Sequence, residues 1–275
     1  MMTRRHLVHQ LRGLGLRAGD LVMVHASLKA LGPVEGGAAE VVRALIDAVG
    51  PEGTLMAYVS WDRSPYEETL NGTVLSEAAR AEWPAFDPLT AGTYRGFGLL
   101  NEFLRKAPGA VRSAHPDASM VAVGARAHEV IGEHRLGDAY GPGSPLERLV
   151  SFGGKVLTLG APLDALTVLH YAEAIAELAD KRRVTYEVPL LDAAGRKVWC
   201  RAEELDSNGI LDCFAREGEP DAVETIAKAY VADGRALRGR VGAAQCYLLD
   251  AQDLVRFGKE WLEVRFAVPP RPYSP

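Results

Sequence analysis

Short apolar runs alternate with amphipathic stretches along most of the chain, the order expected of a βα protein. Leu21-Val-Met-Val-His25 follows the turn at Gly19-Asp20 and reads as a strand buried on both faces. Thr54-Leu-Met-Ala-Tyr-Val59, bounded by Pro51-Glu-Gly53 and Ser60, is a second such run, with a helix predicted over 38–49 between them. Strand, helix, strand predicts a parallel pair joined by a right-handed crossover. Helices are also predicted at 4–16, 97–106, 164–180, 221–233 and 251–265, and strands at 119–123, 155–160 and 244–249. From Ser60 to Thr93 the periodicity fades. That stretch carries Trp61, Tyr66, Trp83, Pro65, Pro84 and Pro88, which predicts a packed lid. After Arg183 the period becomes two: Val184-Thr-Tyr-Glu-Val188 and Lys197-Val-Trp-Cys-Arg201 flank Ala193-Ala-Gly195, as in an antiparallel hairpin. The expected fold class is α/β, with a mixed, largely parallel central sheet flanked by helices. Residues 1–275 form either a single domain or two packed lobes, 1–182 and 183–275.

Composition narrows the partners rather than naming one. The chain is 48% hydrophobic and 24% charged over 275 residues, an ordinary folded globule. A net charge of -5 argues against a binder of phosphate backbones and suits a cationic small molecule, so no nucleic acid is expected. Cys200, Cys213 and Cys246 are odd in number and widely spaced, giving neither a disulfide framework nor a CxxC clip. A reducing cytoplasm is therefore expected. The first residues lack an apolar stretch before a cleavage site and no 18-residue apolar run occurs, so neither export nor membrane insertion is predicted.

Candidate chemistry centres on Thr167-Val-Leu-His170-Tyr-Ala-Glu173, where a hydroxyl, an imidazole and a carboxylate recur every three residues of a predicted helix. Neighbours at i and i+3 can touch, so Glu173 is placed to orient His170 and raise its basicity near neutral pH. A helix-surface pair of no catalytic use is the competing reading. His25-Ala-Ser27-Leu28-Lys29 ends the first strand, where α/β proteins gather ligand-binding groups. Arg112-Ser113-Ala-His115-Pro116-Asp117 offers donors for phosphate or amide oxygens, or else a capped turn. Asp206 to Asp212, followed by Glu217, Glu219, Asp221 and Glu224, concentrates acid that is equally compatible with solvated carboxylates. The histidines show no zinc spacing, and there is no GxSxG elbow, Walker loop or dinucleotide fingerprint, so no metal is expected. Gln10-Leu-Arg-Gly13-Leu-Gly15 matches the pyrophosphate loop of the common N-acetyltransferase superfamily, but it ends a helix instead of opening one. A helix C-cap is the better account.

Leu21–Lys29 with Gly32-Pro-Val-Glu-Gly-Gly37, Trp61-Asp-Arg-Ser-Pro-Tyr-Glu67, Arg112–Asp117, Thr167–Glu173 and Asp206–Asp212 together resemble the aminoglycoside 3-N-acetyltransferase family, in order and over nearly the whole chain. The resemblance is strongest to the gentamicin-modifying members. It implies the antibiotic N-acetyltransferase fold, distinct from that of the common superfamily. It also implies acetyl transfer from acetyl-CoA to the 3-amino group of the 2-deoxystreptamine ring, with antibiotic resistance as the outcome. On that footing His170 is the base, Glu173 its partner and Thr167 an oxyanion donor. His25, Ser27, Leu28, Lys29, Arg112 and Ser113 would line the coenzyme site, with Arg112 and Lys29 on its phosphates. Asp62, Tyr66, Glu67, Asp206, Asp212 and Glu224 would receive the polycationic drug beside Trp61. Acyl transfer to another amine, or non-catalytic binding of coenzyme A or a cationic drug, are the alternatives. A homodimer is left open by the sequence.

Overall fold

Strand β1 (Leu21–Ala26) is buried on both sides, and its alternation divides the interior in two. Leu21 and Met23 join one apolar cluster, Val22 and Val24 the other. Strands β2 (Thr54–Tyr58) and β5 (Lys155–Leu159) divide in the same way, with Met56, Tyr58 and Val156 on the first side and Leu55, Ala57, Leu157 and Leu159 on the second. In this computed structural model, residues 1–179, 181–206, 214, 218 and 221–266 are described. Among them β1 pairs in parallel with both β2 and β5. The sheet is extended antiparallel on each flank: by β4 (Met120–Gly124) and the two-residue β3 (Val111–Arg112) beside β2, and by β9 (Ala244–Asp250) and β8 (Leu237–Val241) beside β5. The order is β3-β4-β2-β1-β5-β9-β8, and only β4 and β9 run against the common direction. The sheet is mixed and largely parallel, as expected, and β9 ties the C-terminal residues into it.

Helices α1 (Arg4–Leu14), α3 (Gly37–Val49) and α6 (Leu99–Arg105) cover the second side. The short α2 (Leu28–Leu31) follows β1. Helix α1 ends at Gly15, whose φ of 127° and N–H bonds to Arg12 and Leu11 carbonyls make it the expected C-cap rather than a pyrophosphate loop. On the first side lie α7 (Ala127–Ile131), α8 (Pro145–Ser151), α9 (Val168–Ile175), α10 (Ala222–Ala232) and α11 (Ala251–Phe266). Helix α9 is shorter than the predicted 164–180. Leu166, fully buried with ψ at 75°, separates it from a 3-10 turn at Leu163–Ala165, and Ala176 is extended. Lys181 returns to accept the end of the helix, its Nζ donating to the Ala174 carbonyl at 2.8 Å.

The predicted hairpin is β6 (Arg183–Leu191) with β7 (Lys197–Leu205), a separate two-stranded sheet. The 60–93 segment contains α4 (Tyr66–Thr69) and α5 (Glu77–Glu82), and it packs on this hairpin instead of forming a lid. Trp61, Tyr66 and Phe86 are buried against Val184, Tyr186 and Val188, and Arg80 pairs with Glu187 at 2.6 Å. The aromatic content that suggested a lid is a third small core.

Candidate active site

Strands β2, β1 and β5 end at one edge of the sheet, and a cleft of about 740 Å³ opens there. Strand β1 delivers His25. Ser27 caps α2, its Oγ accepting from the Ala30 N–H at 3.3 Å, and Leu28 and Lys29 continue the wall. After β5 the chain turns at Gly160, φ 71°, where a Cβ would lie 2.8 Å from that of Ala244 and 2.9 Å from that of Ala30. This close approach brings Ala161, Pro162 and Asp164 to the cleft. Tyr58 ends β2, Tyr140 precedes α8, and Phe97 and Asn101 reach in from the opposite rim. Thr167 and His170 complete the wall from the start of α9. That helix is backed by α11 at Gly258, where a Cβ would meet Leu169 Cδ2 at 2.8 Å, so the missing side chain lets the two helices close up.

Three titratable groups at or behind this wall hold enclosed atoms without partners among the described residues. His25 is 9% exposed, and its Nε2 is enclosed with no hydrogen bond among the described residues. His170 is half-buried, its Nδ1 likewise enclosed and unpartnered. Burial holds both imidazoles down to about 4, so both are neutral at pH 7. The His170 ring stacks on Tyr140, centroids 4.9 Å apart and planes 25° apart. Glu173 is fully buried and neither carboxylate oxygen has a partner among the described residues. Burial pushes it up to about 7 against the pull of Lys181. The expected hydrogen bond between His170 and Glu173 is therefore not made in this structure. Thr167 is the residue before α9 instead of part of it, and its Oγ1 donates at a long 3.4 Å to the Ala165 carbonyl.

With this geometry in place, comparison with known proteins decides the family. Residues 23–263 match the family model described as aminoglycoside 3-N-acetyltransferase. The chain belongs to the aminoglycoside 3-N-acetyltransferase family. Aminoglycoside N(3)-acetyltransferase III of a Salmonella species is 64% identical over 270 residues, covering 98% of this chain and 94% of that protein. Aminoglycoside acetyltransferase AAC(3)-IIb superposes with a TM-score of 0.94 at 65% identity over 98% of this chain and 99% of its own. AAC-IIIb, solved as a binary complex with CoASH, superposes at 0.90 with 41% identity and 99% coverage of each chain. The chain is thus a transferase of the antibiotic-resistance class.

The acetyltransferase cleft brings together His25, Ser27, Leu28, Lys29, Thr167 and His170 from two distant segments, but not the other expected residues. Arg112 is a correction. Its guanidinium donates to Ser119 Oγ at 3.0 Å and to the carbonyls of Ala91, Val59 and Gly92 at 2.6, 2.5 and 3.2 Å, which joins β3 to the 60–93 segment, and it lines no part of the cleft. Ser113 is also a correction: it is 1% exposed and binds the Met120 N–H and His134 Nδ1, each at 3.0 Å. Asp62 is exposed beside a recess of about 280 Å³ that shares Gly98 and Leu99 with the cleft. Tyr66 is buried, its hydroxyl 3.4 Å from Asp206, which Arg182 holds at 2.8 Å, and Glu67 faces outward. None of Asp62, Tyr66, Glu67 and Asp206 lines the cleft. Glu224 pairs with Lys228 at 2.5 Å. Asp212 lies outside the described residues.

Sequence reasoning missed Tyr58, Asn101, Tyr140 and Asp164. Asp164 is the informative one: burial, then the charges of Asp221 and Glu224, push its carboxyl up, so the start of α10 stands behind this wall of the cleft as an acidic face. No group of three or more His, Cys, Asp or Glu that could hold a metal occurs among the described residues. No helix among them is long and apolar enough to cross a membrane.

A second set of the same residue types lies beneath the hairpin. His115 Nδ1 accepts from the Ala118 N–H at 2.9 Å, so its Nε2 donates to Glu204 Oε1 at 2.8 Å. Glu204 also accepts from the Gly137 N–H at 2.7 Å and Tyr186 at 3.2 Å. His134 stacks on His115 at 4.8 Å and its Nε2 meets the Ala139 carbonyl at 3.0 Å.

Proposed function

We propose that this family member transfers acetyl from acetyl-CoA directly to the 3-amino group of the 2-deoxystreptamine ring of an aminoglycoside, with His170 as general base and Glu173 as its partner. The family fixes the acceptor class, and the binary complex of AAC-IIIb with CoASH supports the coenzyme. The observation that carries the reading is a neutral His170 at the cleft wall whose enclosed Nδ1 lacks a partner among the described residues, one turn from a buried carboxylate that also lacks one among them. Each unpaired group costs about 1–3 kcal/mol, so a rotation of the Glu173 side chain toward the stacked imidazole is favoured once substrates close the cleft. The pairing also cures a chemical mismatch. An imidazole held near 4 is a weak base, and a carboxylate on Nδ1 raises it toward the working pH.

The drug amine is largely protonated in water and must give up that proton to solvent and reach the site as the free base, since only the free base has the lone pair that attacks. Its nitrogen then forms a bond to the thioester carbonyl carbon, His170 Nε2 takes the proton, and the tetrahedral adduct collapses with loss of the coenzyme thiolate. The oxyanion needs a positioned donor, worth about 3–4 kcal/mol, and the weakly held Thr167 hydroxyl or an N–H of the first turn of α9 supplies it. No protein nucleophile is required, and Cys200 and Cys246 line no part of the cleft. Lys29 remains the coenzyme's phosphate contact. Asp164, backed by Asp221 and Glu224, receives the drug's ammonium groups, with Asp62 at the adjoining recess.

Incubation with acetyl-CoA and 2-deoxystreptamine drugs, followed by mass spectrometry and NMR of the product, is expected to place one acetyl on the 3-amino nitrogen. Absence of thiol release across the drug panel would overturn the acceptor. His170→Ala is expected to lose at least about a hundredfold in turnover while retaining drug binding. Unchanged turnover would remove His170 from the mechanism.

A further inference from the structure

We propose that Tyr140 is a positioning residue for His170, its stacked ring fixing the plane in which the imidazole meets the acceptor amine. The inference rests on His170 being the base. Nothing among the described residues hydrogen-bonds that imidazole, so the face-to-face contact at 4.9 Å and 25° is what sets its orientation here. A base that must meet one nitrogen along one direction gains from a wall that forbids rotation about the side chain, and errors of about 1 Å cost roughly a hundredfold.

Tyr140 is itself anchored unusually well for a residue between a loop and a helix. It is 5% exposed, and its hydroxyl lies 2.8 Å from that of Tyr58. Tyr58 donates to the Asp117 carbonyl at 3.1 Å, so Tyr140 is the donor to Tyr58. Burial raises both phenols, and the hydroxyls stay protonated throughout the working pH range. The backbone leading to Tyr140 is held as well: the Gly137 N–H is bound by Glu204, and the Ala139 carbonyl by His134. The fully partnered cluster beneath the hairpin thus acts on the site through two backbone groups and one aromatic plate.

Of the titratable and charged groups around His170, Tyr140 stacks on its face, Glu173 shares its helix, and His25, Tyr58, Lys29 and Asp164 line the same cleft. Tyr140→Leu is expected to lower kcat about ten- to a hundredfold with both KM values within about twofold. It also opens the imidazole to water, so the acid limb of the kcat/KM profile, which reports the free enzyme, moves up from about 4 toward the ordinary histidine value. Tyr140→Phe, which keeps the plate, is expected to recover most of the loss. Tyr58→Phe, which keeps both rings and removes the anchor, is expected to lose about two- to tenfold with a smaller displacement of the limb. It carries the test if Tyr140→Leu fails to fold, as its thermal midpoint will report. An unmoved acid limb in folded Tyr140→Leu or Tyr58→Phe, or a loss confined to KM, would overturn the positioning role. His170→Ala run in parallel separates the failures. Full turnover there overturns the base assignment and this inference together, whereas loss there with an unmoved limb in the tyrosine variants overturns this inference alone.

Discussion

Two groups of buried histidine, glutamate and tyrosine lie on either side of Tyr140, and they differ in whether their polar atoms have partners. Beneath the hairpin, His115, His134, Glu204 and Tyr186 share donors and acceptors until each is bound. Burial pushes the Glu204 carboxyl up, but His115 and the bonds from Gly137 and Tyr186 outweigh it, and the group stays ionised. At the cleft, His25 Nε2, His170 Nδ1 and both oxygens of Glu173 have none among the described residues. The first arrangement is what a buried polar cluster needs to hold two segments of chain together. The second leaves the molecule less stable than it need be and keeps the same chemistry available for a substrate.

The comparison breaks most readily at its satisfied end. Glu204→Ala leaves His115 and Tyr186 buried without an acceptor, frees the Gly137 N–H, and is expected to cost about 3–5 kcal/mol in denaturant unfolding. A loss under about 1 kcal/mol would place Glu204 outside the structural core.

Glu173→Gln tests the unsatisfied end. A carboxyl raised to about 7 in the folded chain against an ordinary value near 4.5 binds its proton more tightly when folded. Stability from this group is therefore lost as pH rises from about 4.5 through 7, by roughly 3 kcal/mol in full. His25 and His170, held down to about 4, act in the opposite sense as pH falls below 6.5, and they do so in both proteins. The variant is expected to match the wild type near pH 4.5, to exceed it by up to about 3 kcal/mol at pH 8, and to lose turnover. Equal unfolding curves at pH 8 would mean that Glu173 is already paired in solution.

The smallest expected effect is that of Arg112→Lys. Shortening the fork strands carbonyls of Ala91, Val59 and Gly92, for about 1–3 kcal/mol of stability, while the KM for acetyl-CoA stays within about twofold. A tenfold rise in that KM would return Arg112 to the coenzyme.

What the sequence made legible follows from length and burial. Strands β1, β2, β5 and β9 and helices α1, α3, α10 and α11 carry either continuous apolar runs or a clear helical period. Strand β3 has two residues and no period, and β8, Leu-Arg-Gly-Arg-Val, reads as a charged turn until β9 supplies its partner. Helices α7 and α8 are too short for a repeat, although Ser144-Pro145 is a helix-start signal that was there to use. At the site, His25 through Lys29 and Thr167 with His170 were legible because each sits in one short segment. Tyr58 was hidden inside a strand's apolar run and Tyr140 in a Gly-rich turn. Only the sheet brings those two hydroxyls to 2.8 Å. Arg112 and Ser113 misled because donor chemistry in a sequence does not reveal how many internal acceptors the fold has reserved for it.

The two ends of the seven-stranded sheet are β3, with two residues, and β8, which presents exposed Arg238 and Arg240 on either side of Gly239. One edge is too short to template another chain, and the other repels a like-charged copy of itself. The chain is thereby guarded against edge-to-edge polymerisation, at concentrations where an open apolar edge would seed aggregates.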